Sequence, residues 1–352
     1  MSGGVDSCVA AFLLARAGWQ VIGVTLKLAD LAADGFDASR CCSAAGVAAA
    51  QRAARMLGIP HILLDVRPEF RDFVLTPFVD AYLRGETPSP CVHCNSTIKF
   101  GRLVEVAAAL GAAHVATGHY ARRVEGPGGD PELHRARERA RDQSYFLFEM
   151  GRDRLKSVLF PLGEYTKDEV RALARQEGLP SAALPDSQDM CFVPLGETYV
   201  GLLQHLAGER LPGEGEIVDG QGRVLGRHGG IHRFTVGQRR GLGVSSSRPL
   251  FVSHLDARNN RVVVGGEEEV HRRRIHLRDV VWLVDPSGAP RRVEVQVRSR
   301  HRPVAATVTP AGGGATVEFV EPVLAPSPGQ AAVWYEGDRV LGGGWIVNDG
   351  RE

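Results

Sequence analysis

Apolar residues fall at helical spacing over 7–17, Gly18 breaks the pattern, and the β-branched run Val21-Ile22-Gly23-Val24-Thr25-Leu26 follows as a strand. The order then repeats. An alanine-rich helical stretch over 43–57 ends at Gly58-Ile59-Pro60 and leads into the strand His61-Ile62-Leu63-Leu64-Asp65-Val66. A helix over 99–110 ends at Gly111, ahead of the strand His114-Val115-Ala116-Thr117. Helices alternating with apolar strands predict an α/β fold, a doubly wound parallel sheet covered on both faces. A polar insertion, Gly126-Pro127-Gly128-Gly129-Asp130, and the arginine run Arg135, Arg137, Arg139, Arg141 come next. Helix resumes over 166–176, where Thr166 and Glu169 have capping-box spacing. Beyond Pro212 the texture changes to short β-type segments punctuated by glycine, which predicts two small β-rich domains after the nucleotide domain. The divisions fall at 1–208, a catalytic domain, 209–270, a central β domain, and 271–352, a barrel-like domain.

Composition narrows the class. The chain has 352 residues, 43% apolar and 24% charged, enough for several cores. No apolar run approaches the roughly 20 residues of a membrane helix, and no basic segment followed by an apolar stretch opens the chain. A cytoplasmic protein with no membrane partner is the expectation. The net charge of +1 names no nucleic-acid partner by itself. Only Lys27, Lys99, Lys156 and Lys167 are lysines, so positive charge is carried by arginine, which suits forked contacts to phosphate. The six cysteines, Cys8, Cys41, Cys42, Cys91, Cys94 and Cys191, all lie in the first 191 residues. So lopsided a distribution argues against a disulfide framework and for thiol or metal chemistry in a reducing compartment.

The string Ser2-Gly3-Gly4-Val5-Asp6-Ser7 opens the first helix. A glycine turn at a helix start aims several backbone N–H groups at one point, and the helix dipole adds positive potential there. Phosphate is the natural occupant, although a plain capped helix start is the bland alternative. The string lacks the lysine of the common nucleotide loop and offers two hydroxyls and Asp6 instead. An acidic residue there either holds a cation or orients the loop. The string resembles the signature of the ATP pyrophosphatase superfamily, which implies cleavage of ATP to AMP and pyrophosphate with Mg2+ present. Members of that superfamily have a strand just before the loop. Here the chain begins at Met1, so the first strand of the sheet is expected to be missing.

In Thr87-Pro88-Ser89-Pro90-Cys91-Val92-His93-Cys94-Asn95 the prolines deny regular structure, and a helix starts near Lys99-Phe100. Cys94 is therefore expected in a loop just ahead of a helix, a position that favours the thiolate. Cys191 ends a second polar loop, Pro185-Asp186-Ser187-Gln188-Asp189-Met190-Cys191-Phe192. Cys8, Cys41 and Cys42 read as small buried apolar residues.

These segments, with Thr117-Gly118-His119-Tyr120-Ala121, Asp142-Gln143-Ser144-Tyr145-Phe146-Leu147, Gly226-Arg227-His228-Gly229-Gly230, Thr235-Val236-Gly237-Gln238-Arg239-Arg240-Gly241-Leu242-Gly243 and Pro328-Gly329-Gln330, resemble the motifs of the tRNA-specific 2-thiouridylase family over nearly the whole chain. The resemblance implies that ATP adenylates the 2-oxygen of a tRNA uridine, at the wobble position, and that sulfur arrives as a persulfide. Cys191 would carry that persulfide from an upstream sulfur-carrier protein. Cys94 would attack it, releasing hydrosulfide or closing a disulfide with Cys191. By the same resemblance Ser2 to Ser7, Leu26 and Gly118 bind ATP. His119, Arg141, Asp142, Gln143, Arg300, His301 and Gln330 touch the tRNA, and Ser89-Pro90-Cys91 meets the target base.

The family's usual Asn-Pro-Asp is Ser89-Pro90-Cys91 here, so an aspartate has become a third thiol. Cys91, Cys94 and Cys191 together would suit a [4Fe–4S] cluster with one open iron. A zinc site using His93 is the rival, and the absence of a second C-x-x-C counts against it. Persulfide chemistry without a cluster, a cluster, and an inert third thiol all stay open. Two other functions also remain: an amide-forming ATP pyrophosphatase, and a tRNA-binding protein without turnover. Arg135 to Arg141, Arg239-Arg240, Arg272-Arg273-Arg274 and Arg298 to Arg302 are either solvated surface or a dispersed phosphate-contacting face.

Overall fold

A computed structural model describes residues 1–29, 44–184, 190–194, 196–287 and 290–348. Cys41, Cys42 and the 185–189 part of the segment before Cys191 lie outside them. The chain forms two compact units that interleave in sequence: Met1–Val74, Cys91–Leu202 and Asp338–Val340 make the first, and Leu75–Pro90, Leu203–Gly337 and Leu341–Glu352 the second. Among the described residues no helix is long and apolar enough to cross a membrane.

In the first unit α1 (Val5–Arg16) precedes β1 (Gly23–Lys27), and α2 (Ala44–Met56) precedes β2 (His61–Asp65). β1 and β2 pair in parallel, Gly23 opposite His61 and Lys27 opposite Asp65. β3 (Val115–Ala116) and β6 (Val158–Leu159) form a second parallel pair. Between them in sequence, β4 (Ala121–Glu125) and β5 (Pro131–Arg135) make an antiparallel hairpin whose turn is the polar insertion 126–130. Among the described residues the helix–strand alternation is present, with its parallel strands in two pairs, β1–β2 and β3–β6. Met1, ahead of the loop, lies beside β1: its amino group donates to the Val24 carbonyl, and Thr25 Oγ1 donates to the Met1 carbonyl at 2.6 Å. The α1 face that carries Val5, Cys8 and Val9 is buried against Ala53 of α2 and Val170 and Ala174 of the helix Lys167–Gln176. Cys8 is buried, and burial raises its thiol pKa.

One expected boundary moves. The helix placed at 99–110 begins at Pro90: a turn of α-helix, Pro90–His93, runs into a wide π-type stretch, Cys94–Arg102, and on into Leu103–Ala109. Proline at a first helical position supplies a preset φ and loses no intrahelical bond, so Pro90 starts this helix instead of forbidding it. Cys94 is therefore helical and buried, not in a loop ahead of a helix.

The second unit is β-rich. β7 (Gly215–Asp219), β8 (Val224–His228), β9 (Phe251–Asp256) and β10 (Arg261–Gly265) form one sheet in the order β8-β7-β10-β9. Ile217, Phe234, Val252 and Val262 fill its core. Six further strands follow: β11 (His271–Trp282), β12 (Arg291–Gln296), β13 (Val304–Ala311), β14 (Gly314–Leu324), β15 (Ala331–Glu336) and β16 (Arg339–Ile346). They run in the order β11-β14-β13-β12-β15-β16, and β11 pairs back onto β16, with Leu277 opposite Ile346, closing a barrel. Alternation fixes which side chains enter it. Val317 and Phe319 of β14 are buried while Glu318 between them is exposed, and Trp334 sits fully buried at the centre.

Candidate active site

The loop Ser2 to Ser7 is held on itself. Ser7 Oγ accepts from the Ser2 N–H at 3.0 Å and donates to the Gly4 carbonyl at 3.1 Å, while Ser2 Oγ lies 3.2 Å from Ser7 Oγ. Gly3 has φ +80°, and a Cβ there would stand 2.3 Å from the Gly46 carbonyl oxygen, so only glycine fits. Gly4 caps α1 with no side chain to fill its N-terminal end. The first-turn N–H groups of a helix have no acceptor within it, so this end is built to receive an anion.

Asp6 resolves the choice between holding a cation and orienting the loop. Lys167 Nζ donates to both Asp6 oxygens, at 2.7 and 2.8 Å, and the Tyr120 hydroxyl donates to Oδ1 at 2.8 Å. Lys167 is buried, and its ammonium also lies 5.8 Å from the Tyr120 ring centre. Burial first, then the Asp6 carboxylate, push the Tyr120 hydroxyl far above its ordinary pKa, so it stays a donor. Asp6 thus fastens the first turn of α1 to two neighbouring elements. Gly118 lies against the same turn: a Cβ there would come within 2.8 Å of the Asp6 carbonyl carbon and 2.9 Å of the Ser7 nitrogen. Leu26 is half-buried on β1.

Behind Tyr120, Gln143 bonds reciprocally, its Oε1 accepting from the Tyr120 N–H at 2.9 Å and its own N–H reaching the Tyr120 carbonyl at 2.8 Å. Asp142 accepts from the Ala136 N–H at 2.9 Å and the Ser144 hydroxyl at 2.8 Å. Of the trio expected to touch tRNA, Asp142 and Gln143 help to build this turn, and Arg141 is exposed. His119 is half-buried between Phe100 and Phe160, at ring distances of 6.0 and 6.4 Å, with Nδ1 2.8 Å from Thr117 Oγ1. Burial holds its pKa well below the usual histidine value, so it is neutral.

Cys91 and Cys94 stand three apart on one helical stretch, hence on neighbouring positions about 5–6 Å apart between Cβ atoms. The wide turn after Cys94 is pinned by side chains. Thr97 Oγ1 donates to the His93 carbonyl at 2.6 Å, Ser96 Oγ to Glu149 at 2.5 Å, Asn95 to the Phe146 carbonyl at 3.0 Å, and Arg154 to the Ser96 carbonyl at 2.7 Å. Such widened turns recur at functional sites. Cys191 is half-buried beside Phe192, whose ring packs edge-on against Phe70 at 5.7 Å. The turn Arg67–Phe70 is tied in turn to the Cys94–Arg102 stretch by Glu69 and Arg102 at 3.3 Å. Both thiols are thus anchored around one packed block. Among the described residues, no three His, Cys, Asp or Glu side chains are gathered closely enough to hold a metal ion.

In the second unit Gln330 Nε2 donates to the Thr87 and Pro88 carbonyls at 2.9 and 3.3 Å. Ser89 and Pro90 are buried just beyond. Arg300 is exposed and His301 half-buried, its pKa lowered by burial. Arg272 donates to the Glu269 carbonyl just ahead of the barrel, Arg273 to the Val320 carbonyl, and Arg274 pairs with Glu318, which makes that cluster structural in part.

Residues 1–195 match a family profile described as the tRNA methyl transferase HUP domain, residues 202–266 the tRNA methyl transferase PRC-barrel domain, and residues 272–346 the aminomethyltransferase beta-barrel domain. Across its length the chain is 50% identical to the tRNA-specific 2-thiouridylase MnmA of Sorangium cellulosum (strain So ce56), covering 98% of this chain and 90% of that one. The chain belongs to the tRNA-specific 2-thiouridylase family. The relatives of that name from Parvibaculum lavamentivorans and Solibacter usitatus are 47% and 46% identical, covering 99% and 98% of this chain and 89% and 97% of theirs.

The 2-thiouridylase architecture of a HUP nucleotide domain followed by two β domains accords with the α/β-then-β reading of the sequence. Two site residues went unread there. Lys167 is one of four lysines and directly follows the N-cap Thr166, where the local pattern shows only the capping box. Tyr120 lies inside the segment Thr117-Gly118-His119-Tyr120-Ala121, whose pattern gives the tyrosine no role. Nothing local in the sequence pairs either with Asp6, because the contacts span 161 and 114 residues.

Proposed function

We propose that this chain thiolates uridine at C2 in tRNA, at the wobble position, spending ATP as AMP and pyrophosphate. The uridine 2-oxygen attacks the α-phosphorus of ATP, the bond to the β-phosphate oxygen breaks, and pyrophosphate leaves toward the α1 end. The phosphates and the Ser2 and Ser7 hydroxyls would hold Mg2+, which would neutralise the charge on the departing pyrophosphate. The terminal sulfur of a persulfide on Cys191 then attacks C2, and AMP departs with the former 2-oxygen. Cys94 thiolate attacks the Cys191 sulfur, and the S–S bond breaks, leaving its electron pair on the new 2-sulfur. The resulting Cys94–Cys191 disulfide needs two electrons from a thiol reductant before the next turnover. A persulfide sulfur-carrier protein reloads Cys191.

The observation that carries this reading is the anchoring of Cys94 and Cys191 around Phe70, in the same unit as the Asp6-fastened phosphate loop. An amide-forming enzyme has no use for two such thiols. The test is tRNA-dependent formation of 2-thiouridine and pyrophosphate, read by nucleoside mass spectrometry. ATP cleavage that ignores tRNA and follows an added acid and ammonia would replace the proposal.

The second reading, a [4Fe–4S] cluster on Cys91, Cys94 and Cys191, is favoured by the third thiol where the family has aspartate. The geometry does not favour it: among the described residues no three His, Cys, Asp or Glu side chains are gathered to hold a metal ion.

A further inference from the structure

The wide stretch Cys94–Arg102 is an unfavourable shape for a helix. Its hydrogen bonds close over five residues instead of four, and such turns are rare, short insertions in α-helix. Relaxing it to α-helix removes the inserted residue, so the chain before it turns by about 100° relative to the chain after it. The far part is fixed: Phe100 is fully buried, its ring 6.0 Å from that of His119 and 6.1 Å from that of Phe160. The rotation would therefore fall on Cys94, at the opening of the stretch. Whatever holds the stretch wide sets the direction of that thiol.

Thr97 Oγ1 donates to the His93 carbonyl at 2.6 Å, an acceptor that an α-helix would give to the Thr97 N–H. The other holding groups come from residues 146–154 of the same unit. Asn95 Nδ2 donates to the Phe146 carbonyl at 3.0 Å, and Arg154 donates to the Ser96 carbonyl at 2.7 Å. Ser96 Oγ donates to Glu149 Oε2 at 2.5 Å, and the same oxygen lies 3.4 Å from His93 Nδ1. Glu149 thus grips both flanks of Cys94, the residue before it and the second residue after it. Its own base is rigid: Phe148 and Met150, its neighbours in the turn Phe148–Met150, are buried, while Glu149 is half-buried. We propose that Glu149 is a positioning residue for sulfur transfer: its carboxylate, by holding Ser96 and His93, keeps the stretch wide and fixes the direction of Cys94. It acts through those two side chains and not on substrate. The role rests on the thiolation reading.

The experiment compares wild type, Glu149→Leu, Glu149→Gln and Ser96→Ala by three readouts. These are the single-turnover rate of 2-thiouridine formation at saturating tRNA and ATP with a persulfide donor, tRNA-dependent pyrophosphate release, and the alkylation rate of Cys94 in the protein alone, followed by peptide mass spectrometry. Glu149→Leu and Ser96→Ala are expected to lose at least about 10-fold in 2-thiouridine formation, because a misdirected thiol misses its target. Cys94, buried in wild type, should alkylate at least about five-fold faster in both, as the loosened turn opens more often. Pyrophosphate release should stay within about two-fold, since adenylation precedes the step that uses Cys94. Glu149→Gln keeps an acceptor oxygen for Ser96 and is expected to recover to within about three-fold of wild type in every readout. If Glu149→Leu fails to fold by thermal melting, Ser96→Ala decides alone. A wild-type thiolation rate in Ser96→Ala or Glu149→Leu overturns the proposal. So does an equal loss of pyrophosphate release, which marks general damage, and so does a Glu149→Gln enzyme as slow as Glu149→Leu. A wild type that makes no 2-thiouridine overturns the thiolation reading and with it this role, an outcome distinct from any difference among variants.

Discussion

Lys167 Nζ holds both oxygens of Asp6, at 2.7 and 2.8 Å, and so ties the first turn of the phosphate helix to a helix far along the chain. Lys167 is buried while Asp6 is about one-third exposed, so the pair is only partly desolvated. Lys167→Met is expected to cost about 1.5–3 kcal/mol of stability, the range for a hydrogen bond to a charged group. It should slow tRNA-dependent pyrophosphate release at least about 10-fold, because a loosened loop no longer presents its N–H groups together. Thermal melting and a pyrophosphate assay check the two halves separately.

Gly118→Ala acts on the same turn without removing any polar group. Its Cβ would press on the Asp6 and Ser7 backbone, which cannot swing aside as a side chain would. The expected outcome is a raised KM for ATP with tRNA binding unchanged, measured by initial rates and a filter-binding assay.

How much of this was legible depends on the range of the interaction. The capping box at Thr166 and Glu169 spans three residues and was read correctly from spacing alone. Alternation in the barrel strands is likewise local. The start of the Cys94 helix is not legible from pattern alone, because proline breaks a helix interior yet starts a helix at a first helical position. Lys167–Asp6, Phe192–Phe70 and Gln330–Thr87 join segments with no shared pattern, so only the folded chain brings them together. The motifs led to the family, but they could not tell that Asp142 and Gln143 serve the turn behind Tyr120.

Acid should destabilise the fold in a defined window. Burial lowers the pKa of His119 well below 6.5, and lowers those of His61, His228, His232, His254 and His301 as well. The unfolded chain takes up these protons first, so the stability held by neutral histidine is complete above 6.5 and is lost as pH falls below it. Melting temperature is expected to fall from about pH 7 to about pH 5. His119→Phe, which keeps a ring between Phe100 and Phe160, should make the fall shallower.

The third thiol has its own test. In the persulfide route Cys91 makes no bond to the travelling sulfur, so Cys91→Asp, which restores the family's usual residue, is expected to keep at least about half of the wild-type rate. Anaerobic preparations of both proteins, with iron and sulfide assays and a visible spectrum, accompany the rates. Loss of activity together with loss of bound iron and of a visible band would favour the cluster.

The central claim is that Cys94 and Cys191 carry sulfur to an adenylated tRNA uridine. The most direct measurement is the 2-thiouridine content of tRNA after incubation with ATP, Mg2+ and a persulfide donor, for wild type, Cys94→Ser and Cys191→Ser side by side with tRNA affinity. Wild type is expected to form 2-thiouridine and both serine variants none, with tRNA binding within about two-fold in all three. Retained thiolation in either variant would contradict the account.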